Sequence, residues 1–137
     1  MNTTIPGFGF HHIALRVSDF DRSCAFYMNA LGCTVAAAWN EAPKRVAMLD
    51  LGDDGRLEVF EGGEGEKIDT GVTPGAFFHL AMRTEDADLA YNRAIAAGAE
   101  SVTPPKDVVL QSNPPLPARI AFVAGPDGET LEFFQTK

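Results

Sequence analysis

Apolar and polar positions alternate from Phe10 to Val17 (FHHIALRV), which puts Ile13, Leu15 and Val17 on one face together with His11. His12, Ala14 and Arg16 take the other face, so a half-buried strand is predicted there. The period then changes. In SDFDRSCAFYMNALG, Ser18 or Asp19 can cap a helix; Phe20, Cys24, Tyr27 or Met28 and Leu31 recur at helical spacing, and Gly32 supplies the stop. Strands are predicted at Cys33–Trp39, Arg45–Leu51 and Arg56–Glu61, the last two joined by a tight turn at Asp53-Asp54-Gly55. The order then begins again, with a strand over Phe77–Arg83, a helix over Glu85–Ala97 closed by Gly98, and strands near Glu100–Thr103, Arg119–Val123 and Thr130–Gln135.

The second half repeats residues as well as elements. HIALRVSDFD (residues 12–21) and HLAMRTEDAD (residues 79–88) superpose at a constant offset, matching His12 to His79, Ala14 to Ala81, Arg16 to Arg83, Asp19 to Asp86 and Asp21 to Asp88. DGRLEVF, ending at Phe60, returns with one insertion as DGETLEFF, ending at Phe134, which pairs Glu58 with Glu132. The fold class that follows is α+β, built from two βαβββ modules at about residues 8–61 and 76–135, with a linker at about 62–75 and a flexible arm before residue 8. Neither half carries enough apolar area to stand alone, so the two are expected to pair into one curved mixed sheet with a helix outside each half. One stretch departs from the repeat: Pro104 to Pro117, with Pro105, Pro114 and Pro115 between them, reads as a long functional loop or lid, or as plain connection.

Alternation also aims the candidate chemistry. His12 and His79 point away from the purely apolar faces of their strands, Glu58 lies opposite Leu57 and Val59, and Glu132 lies opposite Leu131 and Phe133. A carboxylate buried unpaired in mid-strand costs on the order of several kcal/mol, which a partner must offset. Two carboxylates facing two imidazoles would recover that most readily by binding a divalent cation. Repetition of the His and Glu at equivalent points of two units favours this reading over four unrelated surface residues. His11, on the Ile13 face, is expected to be packed or hydrogen-bonded.

Composition sets the bounds. Hydrophobic residues make up 45% of the 137 and charged ones 22%, the balance of a soluble globular domain. No apolar run approaches the roughly 20 residues that span a bilayer, and MNTTIPGFGF lacks the basic start and apolar core of a signal peptide. A cytoplasmic setting is expected, and the two cysteines, Cys24 and Cys33, read as small apolar fillers. The net charge of −8 argues against nucleic-acid binding, which needs clustered Lys and Arg.

At HHIALRVSDFDRSCAFYMNALG, RLEVFE, FFHLAMR and GPDGETLEFF the chain resembles the vicinal oxygen chelate superfamily, which includes glyoxalase I, extradiol dioxygenases and bleomycin-resistance proteins. The resemblance covers about residues 9–134 and implies a cup of paired modules around one divalent metal ion (Ni, Zn, Co, Mn or Fe). It places the ligands on His12, Glu58, His79 and Glu132. It implies a glyoxalase I-like lyase or isomerase in which the metal acts as a Lewis acid on an enediolate, Glu132 is the principal base, and Glu58 is second ligand and partner base. Arg16 stands where glyoxalase I holds a glutathione carboxylate, with Arg119 a weaker anion candidate; Phe60, Phe134 and Trp39 would line an apolar pocket. Glyoxalase I carries Asn-Trp-Gly just after its first glutamate, whereas Glu61-Gly62-Gly63 follows here, which argues against glutathione. Two alternatives stand: an iron-dependent extradiol dioxygenase using His12, His79 and Glu132, and a non-catalytic protein that sequesters a small molecule. A homodimer is expected, and the site would use the same residues whether formed within one chain or across two.

Overall fold

The computed structural model describes residues 4, 10–65, 74–75 and 77–137. Contacts divide the chain into two compact units, Met1–Glu64 and Gly65–Lys137. The arm expected before residue 8 and most of the expected linker lie outside the described residues.

The first unit contains β1 (His12–Arg16), α1 (Phe20–Ala25), a π-helical turn (Phe26–Ala30), β2 (Thr34–Trp39), β3 (Val46–Gly52) and β4 (Gly55–Phe60). Its strands form a mixed sheet in the order β1-β4-β3-β2, with β1 parallel to β4 and the remaining pairs antiparallel. Asp53 and Asp54 both adopt positive φ (50° and 61°) between the paired Gly52 and Gly55, the two-residue hairpin turn whose twist matches the flanking strands. Val17, Leu49, Leu57 and Val59 are fully or almost fully buried, as are Phe26, Tyr27 and Ala30 of the helical segment, and α1 packs on β4. The inward face of β1 is therefore the one that alternation predicts.

The second unit repeats the plan with β5 (Leu80–Arg83), α2 (Ala87–Ala96), β6 (Glu100–Leu110), β7 (Leu116–Ala124) and β8 (Thr130–Thr136), in the order β5-β8-β7-β6. Asp19 caps α1 by accepting the Arg22 N–H at 3.0 Å, and its repeat mate Asp86 caps α2 by accepting the Leu89 N–H at 2.9 Å. Ala87 and Ala94, two turns apart and both fully buried, let α2 lie close over β7. The two sheets are mixed and each carries its own helix, as an α+β duplication requires.

Three local readings are corrected. First, the buried face of the first helical segment holds Ser23, Phe26, Tyr27 and Ala30, while Cys24 is only half-buried and Met28 is 37% exposed. Ser23, Phe26, Tyr27 and Ala30 keep the three- and four-residue spacing of one helical stripe, which holds the expected Tyr27 but starts one residue before Cys24. Second, Pro104–Pro117 is not a long loop: β6 runs through Pro104 and Pro105 to Leu110, and β7 resumes at Leu116. Strand β6 is at the sheet edge and its register shifts between Thr103 and Lys106, so the missing proline N–H groups fall where the ladder is already irregular. Third, β5 starts at Leu80, so His79 directly precedes the strand, and Phe77 and Phe78 are exposed.

Candidate metal centre

Each glutamate faces an alanine across a parallel ladder. Ala14 is the register partner of Glu58, and Ala81 is the register partner of Glu132. The histidine in each case lies two residues before that alanine, diagonal to the carboxylate, and the small methyl leaves the diagonal open. In the first module His12 Nε2 comes to 3.4 Å from Glu58 Oε2, and in the second His79 Nε2 comes to 3.2 Å from Glu132 Oε2. Two donors bound to one ion at about 2.1 Å stand roughly 3 Å apart when they subtend a right angle. The separations fit that requirement, and one neutral imidazole with one carboxylate is a donor set suited to a borderline divalent cation.

Within each module the set stops at two candidate donors: among the described residues no group of three or more His, Cys, Asp or Glu side chains is gathered for an ion. The two half-sites differ in setting. Glu132 is 8% exposed and burial pushes its carboxyl above the usual carboxylate range, an effect that His79 partly opposes. The register partner of Glu132 on the other side is Phe122, whose ring meets His79 edge-on at 5.9 Å, while Phe78 meets it at 4.9 Å. Glu58 is half-buried and lies on the wall of an open cleft of about 440 Å³. Trp39, Asn40, Glu41, Lys44, Val46 and Phe60 line the same cleft, giving it an aromatic wall, one cation and a second carboxylate besides Glu58. Lys44 was not legible as a site residue: it sits in NEAPKR, between strands, where nothing in the spacing aims it.

Arg16 lies over the Phe60 ring at 5.4 Å, with Nη1 donating to the Glu61 carbonyl at 3.2 Å. Gly63 closes against this point, for its N–H donates to the Val17 carbonyl at 2.8 Å and a Cβ there would come within 2.9 Å of the Val17 backbone. Phe134 is half-buried on β8, across from Ile120 and beside Arg83. The Arg119 guanidinium is taken up by two carboxylates: Nε and Nη2 donate to Asp88, and Nη1 donates to Asp107 at 3.0 Å. The Arg119 bonds hold the Asp88 carboxyl below its ordinary range, bonds from Lys137 and then Arg119 do the same for Asp107, and Arg119 is thereby committed to the protein itself.

The sequence model described as the Glyoxalase/Bleomycin resistance protein/Dioxygenase superfamily matches residues 9–133. A lactoylglutathione lyase of Neisseria meningitidis (serogroup A) is 31% identical over 133 residues, covering 92% of this chain and 89% of that protein. Among solved structures, glyoxalase I of Zea mays superposes with a TM-score of 0.72 at 24% identity, over 92% of this chain and 44% of the longer maize chain. TnmS3, an antibiotic-binding protein from Streptomyces sp. CB03234, superposes with a TM-score of 0.70 at 22% identity, over 97% of this chain and 99% of its own.

Proposed function

Because the chain belongs to the Glyoxalase/Bleomycin resistance protein/Dioxygenase superfamily, we propose that it is a metal-dependent lyase or isomerase of the glyoxalase I kind. His12, Glu58, His79 and Glu132 are its metal ligands, and a small molecule with adjacent oxygens is its substrate. The observation that carries this reading is the repeated His–Glu pair, at 3.4 Å in one module and 3.2 Å in the other. A divalent cation, when bound, supplies Lewis-acid polarisation of the two substrate oxygens.

The rest of the chemistry belongs to the chain. Glu132 takes a proton from the carbon next to the polarised carbonyl and returns it to the neighbouring carbon. Its burial raises its proton affinity, which moves a carboxylate toward the working range of a general base near neutral pH. Glu58 is the partner base. Phe60 and Trp39 hold the apolar part of the substrate in the cleft and Lys44 takes its anionic end, with Arg16, stacked on the Phe60 ring, a further anion contact in this reading. Arg119 contributes to the fold through Asp88 and Asp107. A homodimer and a cytoplasmic location complete the proposal.

The test is proton exchange. Hemithioacetals of methylglyoxal with glutathione and with smaller thiols are incubated with the protein in deuterated water, and exchange at the reacting carbon is followed by NMR, with metal content measured on the same samples. Wild type is expected to exchange with at least one adduct in proportion to its metal content, and Glu132→Gln is expected to lose exchange. Unchanged turnover in Glu132→Gln would remove that residue as the base. A second reading, a sequestering protein, draws on the open aromatic cleft, and it predicts stoichiometric ligand binding without exchange and without metal. Iron(II) retained with oxygen uptake on catechols would assign the dioxygenase class.

A further inference from the structure

His12 has a set of contacts that His79 lacks. Arg56 Nη1 lies 3.3 Å from His11 Nε2, His11 Nδ1 lies 2.8 Å from His12 Nδ1, and His12 Nε2 lies 3.4 Å from Glu58 Oε2. The four side chains form one line of contacts with fixed ends, because a guanidinium only donates and a carboxylate only accepts. Arg56 donates to His11 Nε2, so that nitrogen is bare and neutral His11 carries its proton on Nδ1. That proton goes to His12 Nδ1, which accepts. The proton of neutral His12 is left on Nε2, facing Glu58. We propose that His11, held by Arg56, is a positioning residue that sets which ring nitrogen of His12 is protonated, and that it selects the tautomer opposed to cation binding at Nε2.

The opposition follows from counting donors. A cation at His12 Nε2 needs the lone pair there, so the ring proton moves to Nδ1 and requires an acceptor. His11 Nδ1 can accept only when its own proton sits on Nε2, where it meets the Arg56 N–H. Two donors cannot share that contact, so loading separates Arg56 from His11. Among the described residues the second module has no such line: Phe78 precedes His79 and meets it edge-on at 4.9 Å, and Thr130 takes the place of Arg56 in the repeat. One half-site resists a cation and the other does not. The claim about loading rests on His12 being a metal ligand, as proposed above; the tautomer assignment does not.

Long-range nitrogen–proton NMR on the full metal-free chain in mildly alkaline buffer reads each tautomer directly. Wild type should show His11 protonated on Nδ1 and His12 on Nε2. In Arg56→Met, His11 should change to the Nε2 form and His12 should lose its single tautomer. Arg56→Lys, which keeps a donor, should retain the wild-type pattern, and His79 should be unmoved throughout. His11→Phe copies the second module while leaving the Arg56 charge in place. It should bind zinc alone about three- to tenfold more tightly, the size expected when one hydrogen bond no longer has to be broken. Finding His11 in the Nε2 form in wild type, or an unchanged His12 in Arg56→Met, overturns the positioning role. Equal zinc affinity in wild type and His11→Phe overturns the opposition to loading. If no variant takes up zinc, the metal reading and the loading claim both fail, and the tautomers alone decide the positioning role.

Discussion

Arg45 Nη1 donates to Asp21 Oδ1 at 2.9 Å, tying the first turn of α1 to the start of β3; in the second module Arg119 Nη2 donates to Asp88 Oδ1 at 2.9 Å and ties α2 to β7. Each arginine takes a further carboxylate, Glu61 for Arg45 at 2.7 Å and Asp107 for Arg119 at 3.0 Å, and Arg45 also stacks on Phe20 at 4.6 Å. The duplication thus preserves a helix-to-sheet clasp made of an arginine and two acids. Planar guanidinium groups suit this role, since one fork can serve two carboxylates.

These clasps give acid stability a definite sign. Hydrogen bonds from Arg45 lower the Glu61 carboxyl, bonds from Arg119 lower Asp88, and bonds from Lys137 and Arg119 lower Asp107. A carboxyl lowered on folding contributes stability that is present above its unfolded pKa, about 4, and lost as pH falls through the lower folded value. Melting temperature should therefore drop steeply below about pH 4. In Arg45→Met and Arg119→Met the drop should be shallower, and part of the loss already present at pH 7. Melts of wild type and variants that stay parallel from pH 7 to pH 3 would show that the clasps are screened to insignificance.

Glu132 has the opposite sign. Burial raises its carboxyl, so the metal-free fold is favoured while the group is protonated and is progressively penalised as pH rises through the folded value. Replacing Glu132 by Gln should raise the melting temperature of chelator-treated protein at pH 8 and change little at low pH. The same variant should gain less stability from added divalent metal than wild type does. A lower melting temperature at pH 8 would mean that the His79 contact outweighs burial.

Gly63 sits against backbone, not against a side chain that could swing aside. Gly63→Ala places a methyl within 2.9 Å of the Val17 carbonyl group, and should cost about 1–3 kcal/mol in denaturant unfolding. It should also weaken anionic ligands more than neutral ones, because the Arg16 side chain packs at the same point. Wild-type stability in this variant would show that the segment after Glu61 yields freely.

Asp54 is a non-glycine residue at φ 61°. Glycine adopts that conformation without a steric penalty, so Asp54→Gly should stabilise by about 0.5–1 kcal/mol with no change in ligand binding. A destabilised variant would imply that the Asp54 side chain contributes more to the turn than its backbone costs.

The β elements and the two His–Glu pairs were legible because strand alternation has a period of two and survives duplication: Glu58 and Glu132 take matching register positions, with His12 and His79 each two residues before the partner alanine. Helical phase was less secure: two stripes one residue apart both pass near Tyr27, and the small Ser23, not the more apolar Cys24, took the buried place. The prolines at 104 and 105 misled for a different reason. Proline excludes a central strand but not an edge, and edge position is a property of topology that no local pattern carries. Lys44 and the His11–Arg56 contact were hidden because each depends on residues brought together from separate strands.

The prolines in β6 have a consequence beyond the register. Strand β6 is an edge of its sheet, and Pro104 and Pro105 remove two consecutive N–H groups where its register shifts, one of which a regular strand would turn to the free side. A foreign strand arriving there finds an interrupted row of donors, and the neighbouring Lys106 brings charge as well. The same residues that disguise the strand make it a poor template for edge-to-edge pairing.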